Sequence, residues 1–424
     1  MGKFSSRLLV AVAAAGLLFG MSACAPEPDA VPADPTPTQQ TPTPEPEPEP
    51  QPQPGKGPKC PTMHCVSVAM GGDLLFHPGL WKPFALPATT DGQNFDFVPL
   101  LKVAKRYLNR ADYAICDMET PLAPVGGPYT GYPVFSTPPE VANAAKAVGF
   151  DACTTASNHT VDMGTAGLLR TLDRLDEVGL AHTGSYRAKG ERNEPLIVEA
   201  NGVKIAIIAA TFSLNGLNAE HAWQVDYGGP ENALQPKRAI KKAKLARQLG
   251  ADIVIGVQHA GTEYATMPDI QQTTNAHTLI DSGEFDFVYN HHTHSIQPFE
   301  FYNGRWILYG TGNFISESAP PAQRVNNEFL LSRVQFAQQD DGSWKVNDLA
   351  WTVATNIQNG GYKWCPVAAD APQGVCQSPG FDADVLARTR KTVNSMGADK
   401  HGLREWNITK EKKQAKQAAD QAGG

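Results

Sequence analysis

Residues that can bind metal ions follow five short apolar segments of this chain. Each segment is rich in Val, Ile, Ala or aromatic side chains, which is typical of a strand buried on both faces. The segments are Val66–Gly72, Tyr113–Cys116, Ala152–Ser157, Asp252–Gln258 and Phe285–Asn290. They lead into Asp73, into Asp117 and Glu119, into Asn158 and His159, into His259, and into His291, His292 and His294. Because the carboxyl ends of strands in an open α/β sheet meet at one crevice, we expect these side chains to surround one site.

The residue types favour cations at this site. Asp117 and Glu119 are two residues apart, so their side chains point the same way on an extended chain, and facing carboxylates repel unless a cation lies between them. His292 and His294 share that spacing, which predicts two imidazole ligands on one side of an extended segment. A mixture of carboxylate, amide and imidazole suits Mn, Fe or Zn. We therefore expect a divalent transition metal, as one or two ions.

Each of these residues also has an ordinary structural explanation. Gly72-Asp73 fits a turn, Asp117 fits a helix cap beside a solvated Glu119, and Asn158-His159 fits a turn with a core histidine. Taken singly, the structural and functional explanations fit about equally well. The joint occurrence of acidic, amide and imidazole side chains at five strand ends favours a metal site.

Composition narrows the function. The chain has 424 residues, 34 prolines and a formal net charge of −7, and no basic stripe dominates it. This pattern argues against nucleic acid as a partner. No apolar run reaches the ~20 residues that a membrane-spanning helix needs.

The N-terminus has the pattern of an export signal. Lys3 and Arg7 precede the apolar segment Leu8–Gly20, and small residues then lead to Cys24. This order predicts a lipoprotein signal peptide over residues 1–23 and a lipid on Cys24. Secretion with ordinary cleavage nearby is the alternative. With lipidation, the folded part would lie on the extracellular face of the bacterial cytoplasmic membrane.

Proline repeats separate Cys24 from the folded part. Residues 24–59 are therefore predicted to form a lipidated, extended stalk. The main domain is predicted at 60–355, because strand-like segments alternate there with helical patterns, as in an α/β protein. Residues 356–424 are predicted to form a C-terminal extension with one helix and a polar tail.

Six further cysteines suggest disulfide bonds in an exported protein. Cys365 with Cys376, and Cys60 with Cys65, form simple local pairs. Cys116 and Cys153 lie on strands expected to be close neighbours. They are either bonded or buried thiols.

Six motifs occur in an order that identifies a family. They are Gly72-Asp73, Asp117-Met-Glu119-Thr-Pro, Ala156-Ser-Asn158-His159-Thr-Val-Asp162, His259-Ala-Gly261-Thr-Glu263-Tyr264, His291-His292-Thr-His294 and Tyr309-Gly-Thr-Gly312-Asn313-Phe314. The chain resembles the CapA family of poly-γ-glutamate capsule synthesis proteins, a branch of the calcineurin-like metallophosphatase superfamily. The resemblance spans about residues 66 to 316.

The resemblance implies a four-layer αββα sandwich of two mixed sheets flanked by helices. It implies a metal site at the strand ends, with Asp73, Glu119, Asn158, His259, His292 and His294 as ligands. Either Asp117 or Glu119 would bridge two ions. His159 would be the acid that protonates a leaving oxygen or stabilises the phosphoryl transition state. Neighbours in the same motifs are expected to support the site: Asp162, Glu263, His291 and Asn313.

The chain departs from the superfamily pattern at three positions. Leu75 stands where the first strand usually carries a histidine, and His77 could replace it if the loop turned back. Asp117 stands where the family usually has Asn, and Thr293 stands in place of a proline between the last two histidines. With one imidazole missing, one metal position is expected to be weaker.

Three functions fit the sequence. The first is a surface-tethered protein with a metal-dependent phosphoesterase-type site, acting in synthesis or export of a poly-γ-glutamate-like envelope polymer. Its partners would be an anionic polymer or phosphorylated substrate, membrane ligase subunits, and the membrane itself through the lipid anchor. The second is a free-standing extracellular metallophosphoesterase that acts on envelope phosphates. The third is a non-catalytic scaffold that binds polymer.

Overall fold

The computed structural model describes residues 55–87, 94–229, 233–317, 324–357, 363–368 and 375–413. The predicted signal peptide, the lipid site Cys24, most of the predicted stalk and the end of the polar tail lie outside these residues. No helix in the described ranges is long and apolar enough to cross a membrane.

Within the described residues, fifteen strands form two sheets. In chain order they are β1 Cys65–Leu74, β2 Tyr113–Asp117, β3 Ala152–Thr154, β4 Ala181–Thr183, β5 Leu196–Ala200, β6 Val203–Thr211, β7 Ile253–His259, β8 Phe287–His291, β9 Phe299–Tyr302, β10 Arg305–Leu308, β11 Asn313–Ile315, β12 Glu328–Gln338, β13 Trp344–Ile357, β14 Lys363–Pro366 and β15 Arg404–Glu405.

Both sheets are mixed. The first has the order β14-β13-β12-β1-β2-β3-β4, with β11 also beside β1 and β15 beside β13. The second has the order β5-β6-β7-β8-β10-β9. Strands β1 to β4 run parallel, as do β6, β7 and β8, whereas β12, β13, β14, β5 and β9 add antiparallel pairs. The parallel strands therefore end at the same edge within each sheet.

Helices pack against both sheets. They are α1 Val98–Leu101, α2 Lys105–Leu108, α3 Glu140–Val148, α4 Gly164–Glu177, α5 Pro236–Gln248, α6 Ile270–Asp281 and α7 Pro379–Val393. Short 3-10 turns lie between them. Helix α6 begins with a capping box, in which Asp269 accepts the backbone N–H of Gln272 and the Gln272 side chain accepts that of Asp269.

Three apolar cores separate the layers. The central core lies between the sheets and includes Val68, Ile205 and Ile255. A second core joins the first sheet to α1, α2 and α3. A third joins the second sheet to α5 and α6. Strand β1 contributes to two cores because alternate side chains point to opposite faces: Val66 and Val68 face the central core, whereas Ala69 faces the helices. This arrangement confirms the four-layer αββα sandwich of two mixed sheets.

Two boundaries differ from the sequence pattern. Strand β3 ends at Thr154, earlier than the apolar segment Ala152–Ser157 indicates, because the hydroxyls of Thr155, Ser157 and Thr160 bond to backbone and to each other in a turn. Strand β13 crosses residue 355, and β14 and β15 extend the same sheet beyond it. Helix α7 places Val385 in the central core. The described part of 356–424 is thus packed into the main domain.

Three disulfide bonds link the cysteines. The two local pairs, Cys60–Cys65 and Cys365–Cys376, are present as predicted, each with its Cα atoms 5.8 Å apart. Cys116 and Cys153 are also bonded, since they lie opposite each other in the register of β2 and β3. The bond from Cys365 ties β14 to the segment that leads into α7.

Replacing both Cys365 and Cys376 with Ser should lower the free energy of unfolding. Closing a loop of about ten residues stabilises a fold by roughly 2–3 kcal/mol when the bond is unstrained. Denaturant unfolding of the wild type and of the double variant would measure this difference. Peptide mapping without reductant should show the two cysteines linked, and free thiols at both positions would contradict the assignment.

A buried ion cluster fixes the C-terminal segment to the first sheet. The guanidinium of Arg333 on β12 is fully buried and donates to both carboxylate oxygens of Glu411, at 2.6 and 3.2 Å. It also lies over the ring of Trp406 at 4.7 Å. Arg404 on β15 donates to Glu411 and Asp348. Burial acts to raise the pKa of Glu411, but Arg333 and Arg404 outweigh it and hold that pKa below its ordinary value.

Glu411→Ala should destabilise the protein by about 3 kcal/mol, because it leaves the charge of Arg333 buried with a poorer partner. Denaturant unfolding would measure the loss. The lowered pKa means that this stabilisation is present above the ordinary carboxyl pKa and is lost as the pH falls through the folded value. Lys410→Ala, at the exposed neighbouring residue, is the matched control. Equal effects of the two substitutions would show that the ion cluster contributes nothing.

Candidate metal centre

Three buried carboxylates meet at the carboxyl ends of β1 and β2. Asp73 pairs in register with Asp117 on one side and with Asn313 on the other. Glu119 follows β2 by two residues. The side chains of all three acids are fully buried. Thr154 donates its hydroxyl to Oδ1 of Asp117 at 2.5 Å, which leaves Oδ2 directed elsewhere.

Gly72 allows β1 to approach the segment before β11. A Cβ atom at position 72 would lie 2.0 Å from the carbonyl oxygen of Gly312, closer than any real contact. The backbone N–H of Asp73 donates to that same oxygen at 3.3 Å. The Gly-Gly-Asp motif is therefore more than a turn, because any side chain at position 72 would push Asp73 away from Asn313.

Imidazoles from the second sheet face these carboxylates. His259 ends β7 and His291 ends β8, and the two are partners in the strand register. Nδ1 of His259 lies 3.3 Å from Oδ2 of Asp117. Nδ1 of His291 lies 2.6 Å from Oδ1 of Asp73. The site is thus formed where strand ends of both sheets meet.

The spacing of His292 and His294 predicted an extended backbone, but the backbone at these residues is not extended. Both residues have positive φ, +82° and +52°, which is uncommon for residues other than glycine. Their rings are nevertheless close, with centroids 6.0 Å apart. Nδ1 of His294 lies 2.7 Å from Oδ1 of Asn313, and Nε2 lies 3.9 Å from Oε1 of Glu119. A left-handed turn, rather than strand alternation, brings the two imidazoles together.

Many buried polar atoms at this site make no hydrogen bond to a described residue. They are both carboxylate oxygens of Glu119, Nε2 of His291, Nδ1 of His292 and Nδ2 of Asn313. Oδ1 of Asp73 and Oδ2 of Asp117 meet only imidazole nitrogens, those of His291 and His259. Buried polar groups normally have partners, because an unpartnered group pays its full desolvation cost. Except for the amide nitrogen of Asn313, these atoms belong to groups that bind metal. A bound cation would supply the missing partner.

The pKa values of the site are also consistent with a bound cation. Burial, with Asp73 and Asp117 nearby, raises the pKa of Glu119 well above its ordinary value, although His294 acts against it. Burial also acts on His294, but Glu119 and Asp73 outweigh it and raise the pKa of His294 to about 9. Burial and the neighbouring His259 and His294 lower the pKa of His292.

Two groups of donor atoms are compact enough to hold metal. Asp73, Asp117 and His291 form one, and Asp73, Glu119 and His294 form the other, with the donor atoms of each group within 4.8 Å of one another. Asp73 belongs to both. Oxygen and imidazole nitrogen donors suit the divalent metals Mn, Fe and Zn. The residues present therefore fit one or two such ions.

The structure brings the other predicted ligands to the same place. Asn158 accepts a hydrogen bond from Nε2 of His259 at 2.8 Å. The ring of His292 lies 5.1 Å from that of His259. Sequence reasoning assigned His291 a supporting role, but its position in a donor group makes it a candidate ligand. Glu263 is exposed at the rim.

His77 does not join either donor group. Its Nδ1 is 3.3 Å from the carbonyl oxygen of Leu75 and 3.4 Å from the hydroxyl of Ser316. Burial, with His294 and His159 nearby, lowers the pKa of His77 to about 4. The ring is therefore neutral at neutral pH and lies beside the site without replacing the missing imidazole.

His159 is held by a carboxylate. Its Nδ1 lies 2.7 Å from Oδ2 of Asp162, and that oxygen also accepts the backbone N–H of Phe135 at 2.8 Å. The ring of Phe135 packs edge-on against the imidazole at 4.8 Å. Nε2 of His159 makes no hydrogen bond to a described residue. This arrangement fixes the ring and leaves one nitrogen available for a substrate.

Sequence reasoning missed contributions from the end of β6. Phe212 packs on the ring of His292 at 4.7 Å. Asn215 accepts a hydrogen bond from the amide of Asn158 at 3.2 Å. Strand β6 lies beside β7 and runs parallel to it. Applying the strand-end rule to this sixth strand would have placed both residues at the site.

Comparisons with known proteins agree with the motifs. The family described as "Bacterial capsule synthesis protein PGA_cap" matches residues 67–318. The capsule biosynthesis protein CapA of Bacillus anthracis is 28% identical over 54% of this chain and 54% of its own length. The PGA biosynthesis protein CapA of Bacillus subtilis is 31% identical over 42% of this chain and 45% of its own length. The chain thus spans about half the length of the curated relatives it matches.

Solved structures include one similar fold from Bacillus subtilis. The calcineurin-like phosphoesterase YfkN is 15% identical, with a TM-score of 0.43, over 77% of this chain and 97% of the YfkN chain. The family match covers more than half of the chain and includes all the candidate ligands described above. The chain belongs to the bacterial capsule synthesis family PGA_cap, to which the CapA motifs in its sequence had assigned it.

Proposed function

We propose that this protein acts in the synthesis or export of a poly-γ-glutamate-like envelope polymer through a metal-dependent site of the phosphoesterase type. The observation that carries the proposal is Glu119, a buried carboxylate with both oxygens unpartnered among the described residues, beside Asp73 and three histidines. The names of the relatives, which refer to capsule and PGA biosynthesis, support a role in polymer synthesis. A probable polyglutamine synthesis accessory protein of Mycobacterium tuberculosis is also 27% identical over 49% of this chain.

The metal would be held by residues that already converge. Asp73, Asp117, Glu119, His291 and His294 supply the two compact donor groups, and Asn158, His259 and His292 adjoin them. A divalent transition metal supplies Lewis-acid polarisation of a phosphoryl or carbonyl oxygen and activates water. The buried carboxylates exclude bulk water and set the charge of the site. The same residues would serve hydrolysis or transfer.

His159 would handle a proton in this chemistry. Asp162 orients the imidazole through Nδ1, so Nε2 can donate to the oxygen of a leaving group or stabilise the charge that develops on it. Phe135 restricts the ring from the side. Asn158 would then face the metal, and the neighbouring His159 would face the substrate.

Location forms part of the proposal. A lipid on Cys24 and a proline-rich stalk would place the domain on the extracellular face of the cytoplasmic membrane. Membrane ligase subunits and an anionic polymer would then be its partners. Mass spectrometry of the native N-terminal peptide would test the anchor.

Replacing both His292 and His294 with Ala should weaken metal binding strongly, because it removes one imidazole of a donor group and a second imidazole that adjoins it. The wild type should contain metal, and its melting temperature should fall on treatment with a chelator, because a bound ion stabilises only the folded state. In the double variant, metal content should fall steeply and the chelator should shift the melting temperature much less. Metal analysis and thermal unfolding would measure both.

The matched control for this test is the replacement of His221 and His401 with Ala. Both are exposed histidines away from the donor groups. The control removes the same number of imidazoles and should keep the metal and the chelator effect. Full metal occupancy in the His292 and His294 variant would show that the site has been assigned to the wrong residues.

His159→Ala should separate chemistry from metal binding. We expect metal content and melting temperature to stay near those of the wild type. Activity, or complementation of capsule formation, should fall by ~100-fold or more, the usual scale for losing a general acid. Loss of metal would place His159 among the ligands. Unchanged function would show that its role is structural and would favour a polymer-binding scaffold.

A further inference from the structure

Six cations surround one groove on the surface of the domain. The groove has a volume of about 670 Å³, and its charged lining comes from three separate parts of the chain. The lining cations are Lys56, Lys102, Lys105, Arg106, Arg110 and Lys412. We call this surface the basic groove. It is formed within a chain whose formal net charge is −7, so the charge distribution is strongly uneven.

The cations of the basic groove lack acidic partners. The charged side chains of all six make no ion pair with a carboxylate among the described residues, although the ammonium of Lys105 donates to the carbonyl oxygen of Ala147 at 3.0 Å. Most other arginines of the described chain do contact a carboxylate. Arg187 contacts Asp173 and Asp176, for example, and Arg404 contacts Asp348 and Glu411. The two arginines of the basic groove therefore differ from most other arginines of the described chain in having no carboxylate partner.

Two carboxylates next to groove residues are engaged elsewhere. Oδ1 of Asp112 accepts the backbone N–H of Lys56 at 2.8 Å, and Oδ2 accepts the N–H and the hydroxyl of Ser67. Glu411, next to Lys412, is held by Arg333 and Arg404. Neither acid is oriented to neutralise the groove. Closely spaced cations repel one another, so an anionic ligand would relieve that repulsion.

The basic groove lies far from the candidate metal centre. Arg110 and Asp112 precede the amino end of β2, whereas Asp117 at its carboxyl end belongs to the centre. The length of this strand puts the two sites on the order of 15 Å apart. No Lys or Arg in the described chain is among the main charges that shift the pKa values of Asp73, Glu119, His292 and His294. The basic groove is thus separate from the metal centre.

We propose that the basic groove is a second polymer-binding site, which holds a linear polycarboxylate chain such as polyglutamate. The need for a polyanion follows from the groove itself, and the identity of the polymer rests on the proposed function. A concave surface lined from three chain segments admits an extended chain, whose repeated charges meet successive cations. The groove would keep the polymer on the protein whether or not the metal centre acts on it.

The test is a comparison of two triple variants of the full-length protein. In the first, Lys102, Arg106 and Arg110 are replaced with Gln. In the second, the exposed lysines of α5 are replaced with Gln: Lys237, Lys241 and Lys244. Both lose three positive charges, so they differ only in where the charges were. Affinity for poly-γ-glutamate of defined length would be measured at low and moderate salt.

The groove variant should bind polyglutamate about 100-fold more weakly than the wild type at low salt, because each cation near a polyanionic surface contributes roughly fivefold. Its remaining affinity should also depend less on salt, since fewer counterions are displaced. The α5 variant should stay within about threefold of the wild type. Equal losses in both variants would show that only net charge matters and would overturn the proposal.

Two further measurements test whether the loss of affinity comes from the groove and whether polyglutamate is its ligand. The pair Lys56→Gln and Lys412→Gln lines the groove from the other side and should also weaken binding, which guards against a folding defect in the first variant. Vesicles containing phosphatidylglycerol form the competing probe. Groove-dependent binding to the vesicles without binding to polyglutamate would identify a membrane-facing surface and refute the polymer site.

The polymer-binding experiment and the metal-binding experiment can fail independently of each other. The variant with Ala at His292 and His294 should bind polyglutamate like the wild type, because the groove does not include the metal site. Failure of the groove variant to lose affinity would refute this inference and leave the metal predictions standing. Loss of capsule function in the His159 variant with normal polymer binding would support the two sites as separate elements.

Discussion

Repulsion among three buried carboxylates is the constraint on which the architecture of the site depends. Asp73, Asp117 and Glu119 share a space from which water is excluded, where like charges interact strongly. Imidazoles from the second sheet offset part of this repulsion by contact with Asp73 and Asp117. Neither sheet alone could form the site, since the acids belong to one and most of the histidines follow the other. The sandwich therefore positions opposite charges as well as burying apolar surface.

Strand periodicity and strand ends are local signals, so they predicted an α/β protein and most of the donor residues, whereas the four layers were implied by the family resemblance. Parallel apolar segments that end in Asp, Asn or His could be recognised without knowing their neighbours. The conformation of His292 and His294 could not, since positive φ at a histidine depends on the turn that β8 makes above Asp73. The role of His291 was underestimated for a related reason. Only the pairing of β7 with β8 reveals that it faces Asp73.

Some contacts could not be predicted from the sequence because they join residues that are far apart in the chain. Cys116 and Cys153 are 37 residues apart, and only the register of β2 with β3 brings them face to face. The ion cluster of Arg333 with Glu411 joins residues 78 positions apart and gives no local pattern. In contrast, Cys365 with Cys376 and the capping box at Asp269 depend on short separations, and the former was predicted directly.

The pairing of β12 with β1 has a consequence for how the family domain is delimited. The region by which the family is recognised ends at residue 318, yet residues 332–337 of β12 hydrogen-bond along most of β1, the strand that carries Asp73. A polypeptide cut at that boundary would expose the edge of β1, and unpaired edges invite association with other chains. The segment that must fold together is therefore longer than the segment over which the family is recognised. Recombination between family members at residue 318 would exchange the strand that supports the metal ligand along with whatever follows it.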